Sequence, residues 1–326
     1  MHSFRWLLLL LFGFVTARAQ AQRPDSSKTS PDRLVAYTFA NDAFFRTDYY
    51  FTQGMTLLLV LPGLRRSPVN WLLGPVPSGS TRYHGVKLHY DGFTPLRIQD
   101  AFVRINDRPY ASYIYADLFR VVNQPARRLR LTTALHIGII GPAAGAKGFQ
   151  TKLHKLLDAP TPRGWDYQVQ NDLVLGYEAR LEKQLLAVGR GLELIGMGGG
   201  SLGTLQTYVS AGGRLRMGLL NPYFDNLGVA RWNGRRGARR MQLYAEEQLE
   251  GRLVGYNATL QGGLLRQHNP YTLSASAVRR TVACSTSTIG FGFGGIRLET
   301  SAVWVSREFD EGRTHKWVQV GLLADF

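Results

Sequence analysis

Oxygen donors crowd one short stretch of the chain. FANDAFFRTDYYFTQG, residues 39–54, carries Asn41, Asp42, Asp48 and Thr52 between two apolar, β-prone runs. A solvated turn accounts for such residues by itself, so their meaning depends on what else meets them. Carboxylate, amide and hydroxyl oxygens are hard ligands, better suited to calcium than to zinc. Zinc has no support: there is no His-x-x-x-His pair, and the single cysteine is Cys284. A second group centres on His154, with Gln150 four residues before it and Asp158 four after, all on one side of a helix. A lone loop histidine is ordinarily a plain polar residue, but beside a site it can take a proton from water. Cys284 lies in a strand-like run remote from any obvious base. An enzyme built from these residues would activate water rather than form a covalent intermediate.

The element that must carry His154 is AKGFQTKLHKLLDAP, residues 146–160. Phe149, Leu153, Leu156 and Leu157 recur at helical spacing and the pattern stops before Pro160. The spacing predicts a helix whose leucines press against a scaffold while His154, beside that stripe, stays reachable from outside. Nearly everything else alternates with period two. Strands are expected over 35–42, 50–61, 83–91, 110–121, 128–140, 172–185, 204–220, 257–268, 271–285, 296–309 and 315–326, eleven or twelve in all. Turn signals such as NQPARR, NPYFDNLG and DEGRTH separate them.

Aromatic and aliphatic residues alternate with Ser, Gly, Thr and Gln, as expected where an outer face meets lipid and the lumen is wet. Val318, Val320, Leu322, Ala324 and Phe326 share one face of the last strand. Closing on a terminal aromatic resembles exported bacterial barrels. An even strand count near twelve removes every open edge. The expected fold class is therefore all-β, a transmembrane antiparallel β-barrel of about twelve strands with a short helix in an extracellular loop. Residues 1–21 have the layout of a cleaved secretory signal: Arg5, an apolar core from Trp6 to Val15, and Ala17, Ala19 and Ala21. That core is too short to span a bilayer, and residues 22–326 read as one barrel domain. A single cysteine excludes a disulfide framework. Removing residues 1–21 takes away Arg5 and Arg18 and leaves a net charge of +14. For an exported chain that charge points to membrane phosphates rather than nucleic acid.

Several stretches, in order, resemble the outer-membrane lipid A 3′-O-deacylases: NDAFFRTDYYFTQG, then NDRPYASYIYADLF (106–119), then HIGIIGPAAGAKGFQTKLHKLLDAPTPRGWDYQVQND (136–172), and a strand-rich tail ending in Phe. The resemblance covers nearly the whole mature chain, and the GPAAG…Q…H…GW…Q…N string is its specific part. It implies a calcium-dependent esterase that removes the 3′-linked acyloxyacyl chain from lipid A in the bacterial outer membrane. His154 would be the general base, Asp42 and Asn41 would hold calcium, and Asn41 and Thr52 would shape the site. Gln150, Arg104 and Arg108, with Arg97 nearby, are the residues expected to touch substrate, the arginines by clamping phosphate. The family's lysine-arginine pair is not cleanly matched by these cations. The family's glutamate shortly after the histidine is also missing, and Asp158 is the nearest carboxylate. Two other readings are an outer-membrane phospholipase, which needs a Ser-His-Asn group absent here, and a porin or adhesin without chemistry.

Overall fold

The computed structural model describes residues 27–45, 47, 49–228, 239–266 and 268–326. The secretory signal at 1–21 and the candidate oxygen ligand Asp48 lie outside the described residues. A two-residue strand, β1 (Lys28–Thr29), precedes β2 (Leu34–Asn41), β3 (Tyr50–Val60), β4 (Thr81–Thr94) and β5 (Ala111–Gln124). β6 (Leu129–Ile140), β7 (Asp172–Val188), β8 (Leu192–Gly203) and β9 (Gln206–Leu219) follow. The sheet ends with β10 (Met241–Asn257), β11 (Thr281–Phe293), β12 (Ile296–Val305) and β13 (His315–Asp325). Helix α1 (Ala146–Leu156) lies between β6 and β7, and the single turn α2 (Ala258–Gln261) follows β10.

β2 to β13 form a closed antiparallel barrel of twelve strands. Each pairs with its chain neighbour, and β13 returns to β2, placing Asp325 opposite Leu34. β1 is an addition that pairs in parallel with the start of β4, beyond the end of β3. Closure leaves no edge among the twelve. The two faces follow from side-chain alternation. On β5, Tyr113, Tyr115 and Asp117 point inward with His89 and His136, while Ile114, Ala116 and Leu118 point outward. Leucine, isoleucine and phenylalanine side chains at Leu249, Leu253, Ile289, Phe291 and Leu322 stay exposed on the outer face. Exposure on that scale suits a lipid-facing belt and no water-soluble sandwich.

The lumen is polar and cross-linked. Lys87 pairs with Asp117 at 2.6 Å, Arg180 with Glu250 at 3.0 Å, Arg216 with Glu193 at 2.6 Å and Arg214 with Glu182 at 3.0 Å. The rim where β2 starts and β13 ends carries the turns 125–128, 189–191 and 294–295, and the longest connection, 141–171, lies on the other rim. From the first of these rims residues 221–228, which follow β9, enter the lumen. Arg130 Nη2 donates to the Asn226 carbonyl at 2.7 Å, and its guanidinium lies 4.1 Å from the Tyr223 ring. Phe224 is buried against Ile195 and Met197. A packed plug of this kind disfavours an open pore.

Two strands escaped the sequence pattern, and two expected strands shift. β8 contains GMGGGS, too glycine-rich to read as a strand. Its glycines are used for close approach, since a Cβ on Gly199 would lie 2.6 Å from the Ala179 carbonyl oxygen. β10 hid because Glu246, Glu250 and Arg252 face the lumen and spoil the apolar alternation. Of the strand expected over 257–268, residues 258–266 form α2 and loop, and 271–280 are loop leading to β11.

Candidate active site on the outer wall of the barrel

The Asn-Asp pair sits where β2 ends. The Asn41 side chain makes an Asx turn: its Oδ1 accepts from Ala43 N at 2.8 Å, and its Nδ2 donates to the Thr52 carbonyl at 2.8 Å. One side chain thus ties β2 to β3. Asp42 is buried, and its Oδ2 accepts from Tyr49 N at 3.2 Å. Phe45 N and the Thr47 hydroxyl donate to the Asp42 carbonyl at 2.9 and 3.3 Å, so the connecting loop wraps around it. Tyr50 enters β3 with φ +67°, an uncommon conformation for a tyrosine. A register shift between Phe51 and Gln53 follows, which re-aims Thr52.

Thr52 is the junction with α1. Gln150, fully buried, donates through Nε2 to the Thr52 hydroxyl at 3.0 Å, and its Oε1 accepts from Trp165 Nε1 at 2.7 Å. Trp165 is a packing residue rather than a lipid anchor, with its ring 4.8 Å from that of Tyr110. A Cβ on Gly164 would lie 2.4 Å from the Tyr110 ring, so only glycine permits the pair. Ala146, Trp165, Tyr90 and Tyr110 form one cluster with Met55 and Ile114. Tyr90, Met55 and Ile114 belong to the outward rows of β4, β3 and β5, so this cluster lies outside the barrel. α1 is therefore applied to the outer wall, where lipid would otherwise be.

The helix docks by a different face from the one expected. Its buried residues are Ala146 and Gln150. Leu156 and Leu157, which the spacing assigned to packing, are 81% and 63% exposed. The correction has a physical reason: beside a bilayer the solvent is apolar, so leucines can face outward while glutamine faces the wall.

His154 lies one turn beyond Gln150 on the same side of α1. Its Nδ1 is 2.7 Å from the Pro160 carbonyl oxygen. A carbonyl only accepts, so Nδ1 carries the hydrogen and the neutral ring keeps its lone pair on Nε2, the form a base requires. The orienting partner is thus a backbone carbonyl rather than a carboxylate. Asp158 has a structural task instead: with φ +52° it turns the chain after the helix and lets Ala159 N reach the His154 carbonyl at 2.8 Å. Chain topology could not reveal this bond, since it depends on the turn that brings Pro160 back.

Asn41, Asp42, Thr52 and Gln150 are thus assembled by hydrogen bonds and one shared turn, with His154 on the next turn of α1. The two arginines expected at a phosphate are not part of that group. Arg108 is buried, ion-paired to Glu308, bonded to Thr259 Oγ1 at 2.8 Å and placed 4.3 Å from the Phe93 ring centre. Phe93 lines the lumen, so Arg108 braces the barrel mouth from inside. Burial beside Glu308 would be costly for the carboxylate, but the Arg108 guanidinium prevails and holds that carboxyl below its usual range. Arg104 is engaged by Asp100 at 2.6 Å and Asp107 at 3.1 Å, and Asp100 pulls its titration upward.

Gln53, opposite Asn41 in the β2–β3 register, gave no signal in the sequence. Its Nε2 donates to the Tyr90 hydroxyl at 2.7 Å, and its Oε1 is buried with no hydrogen-bond partner among the described residues. Among the described residues no three of His, Cys, Asp and Glu are grouped to hold a metal. The donors gathered here are instead one carboxylate at Asp42 and amide oxygens at Asn41 and Gln53. Carboxylate and amide oxygens suit a hard cation such as calcium and do not suit zinc.

A closed twelve-stranded barrel with a lipid-facing belt, carrying a polar site on its outer wall, defines the chain as an outer-membrane barrel protein. The family model described as Outer membrane protein LpxR matches residues 6–326, and the chain belongs to that family. No curated protein sequence matches it. Among solved structures, it is similar to LpxR from Salmonella typhimurium, with TM-score 0.72 and 18% identity over 90% of this chain and all of that one. The β domain of the Bordetella autotransporter BrkA aligns at TM-score 0.46 and 12% identity, over 91% of this chain and all of that domain.

Proposed function

We propose that the chain is an outer-membrane lipid A 3′-O-deacylase that hydrolyses the 3′-linked acyloxyacyl ester. The observation carrying this reading is the position of the site. Asn41, Asp42, Thr52, Gln150 and His154 gather on the outer wall beside an exposed leucine face, where the ester of a membrane lipid can arrive without leaving the bilayer.

The chemistry follows from the residues. His154 Nε2 takes a proton from water as the water oxygen bonds to the ester carbonyl carbon. The carbonyl π electrons move to oxygen, and their return breaks the bond to the sugar oxygen. The imidazolium returns its proton to that departing alkoxide, leaving a free fatty acid and a free hydroxyl. Pro160 holds the ring through this exchange. Asp42 and Asn41 would hold calcium. A calcium ion there supplies positive charge for the oxyanion. Thr52 and Gln150 keep helix and wall in register. Arg104 and Arg108 are committed elsewhere and Lys147 of α1 is paired with Asp166, so exposed Lys152, Lys155 and Arg163 are the cations on and after α1 offered to lipid A phosphates.

Mass spectrometry of lipid A from cells making the chain tests this reading. The expected result is loss of one acyloxyacyl mass with the wild type, and none with His154→Ala although the variant barrel still migrates as a folded, heat-modifiable band. A chelator in purified assays should stop turnover, and added calcium should restore it where zinc does not. Unchanged lipid A with the wild type, or full activity in His154→Ala, overturns the reading.

A further inference from the structure

The outer wall carries a second cover, at the opposite end of the same flank. Near the rim of the chain ends, the outward rows of β4, β5 and β6 hold His84, Arg120 and Thr133. Arginine on a bare lipid face is costly. Here all three are buried, because the β3–β4 connection lies over them. Arg120 donates to the carbonyls of Leu73, of Asn70 at 3.1 Å and of Gly74 at 2.6 Å. The Thr133 hydroxyl donates to the Leu73 carbonyl at 2.9 Å, and His84 Nδ1 donates to Asn70 Oδ1 at 2.9 Å. Asn70 Nδ2 in turn donates to the carbonyls of Leu64 at 2.8 Å and Ser67 at 2.9 Å, binding two 3-10 turns, Pro62–Arg66 and Pro68–Leu73, into one unit.

The free side of this unit looks away from the wall. Trp71 is 79% exposed, Leu72 is exposed beside it, and Arg65 and Arg66 are exposed one turn earlier. Neither arginine makes an ion pair among the described residues. The patch is continuous with the lipid-facing Val86 and Leu88 of β4, and Arg127 of the neighbouring β5–β6 turn is also exposed. Tryptophan and leucine next to two arginines, fixed against a lipid-facing wall at rim height, match the residue chemistry of a membrane interface. The longest connection, 141–171, lies on the opposite rim, and β2 starts and β13 ends at this one, which marks this rim as periplasmic and the facing leaflet as the periplasmic one.

We propose that residues 61–74 form a binding site for an anionic glycerophospholipid of the periplasmic leaflet. Arg65 and Arg66 receive the phosphate and headgroup charge, while Trp71 and Leu72 lie at the glycerol and upper acyl level. The site is separate from the active site and serves to hold this flank of the barrel at a set depth.

Native mass spectrometry of the folded full chain in neutral detergent, titrated with phosphatidylglycerol or phosphatidylcholine, tests it. The wild type retains phosphatidylglycerol preferentially. Arg65→Ala with Arg66→Ala lowers that retention by roughly thirtyfold, at about fivefold for each cation, whereas Arg65→Lys with Arg66→Lys retains it. Equal retention of the two lipids by the wild type, or unchanged retention in the double alanine variant, overturns the proposal. Should the alanine variant fail to fold, quenching by phospholipid brominated near the glycerol decides. Loss of quenched emission on Trp71→Phe supports the site, and identical quenching in both proteins overturns it.

Discussion

At the residue scale, Gln150 has the most consequential bonds. Its two amide ends join Thr52 on the barrel wall to Trp165 beyond α1. It was expected to touch substrate, and the structure makes it a positioning residue buried from any ligand. Gln150→Leu should leave the barrel folded and the Trp165 packing largely intact while freeing the rotation of α1. Two buried partners lose a bond at about 1–3 kcal/mol each. The expected outcome in a lipid A assay is a fall in kcat of tenfold or more, with Gln150→Glu recovering part of it through Thr52. Wild-type kcat in Gln150→Leu would show that His154 is held by Pro160 alone. Asn41, Asp42 and Thr52 stood out as polar residues between apolar runs, whereas the weight on His154 came from the family resemblance. The tautomer-setting Pro160 carbonyl and the orphaned Gln53 oxygen were not legible, because neither depends on residue type.

At the element scale, α1 shows how a helix at a bilayer inverts the usual rule for reading amphipathicity. Period and boundaries were plain from Phe149, Leu153, Leu156, Leu157 and Pro160, but the end of the apolar stripe, Leu156 and Leu157, pointed away from the scaffold while Phe149 kept its edge contact with Tyr90. Sequence periodicity marks which residues share a face; it leaves open whether that face meets protein or lipid. Leu156→Glu with Leu157→Glu tests the assignment. In a buried stripe the pair would unfold the loop, whereas on an outward face the barrel stays folded. Membrane-embedded substrate should then be turned over more slowly than short-chain substrate dispersed in detergent, by tenfold or more. Equal losses on both substrates would place these leucines in the fold rather than at the bilayer. Thr52 teaches a companion lesson: the β3 alternation was readable, but the register shift that swings its hydroxyl toward Gln150 was not.

At the scale of the whole molecule, the barrel was legible because lipid imposes alternation on nearly every strand, and β2, β3, β6 and β13 follow it closely. β8 and β10 escaped for opposite reasons, one through close-packed glycines and the other through charges aimed into the lumen. Those inward charges also brace the mouth. Glu308, held below its ordinary range by Arg108, stabilises the loop rim fully above the carboxylate's unfolded pKa near about 4.3. That contribution is lost as pH falls through the lower folded value. Limited proteolysis between residues 258 and 280 should therefore stay slow at neutral pH and quicken on acidification below about pH 4. Glu308→Gln should be cut readily at pH 7 already, since an arginine left alone in a buried site costs about 3–5 kcal/mol. Equal protection of wild type and variant at pH 7 would deny the brace.

Under the proposed function, placing the reactive groups on the exterior of the cylinder has a kinetic meaning. Encounters with a lipid ester there occur in two dimensions, so turnover answers to the mole fraction of ester in the surrounding film rather than to its amount per volume. Both products re-enter that same film, and the protein never has to move a greasy molecule through water or through its own charged interior.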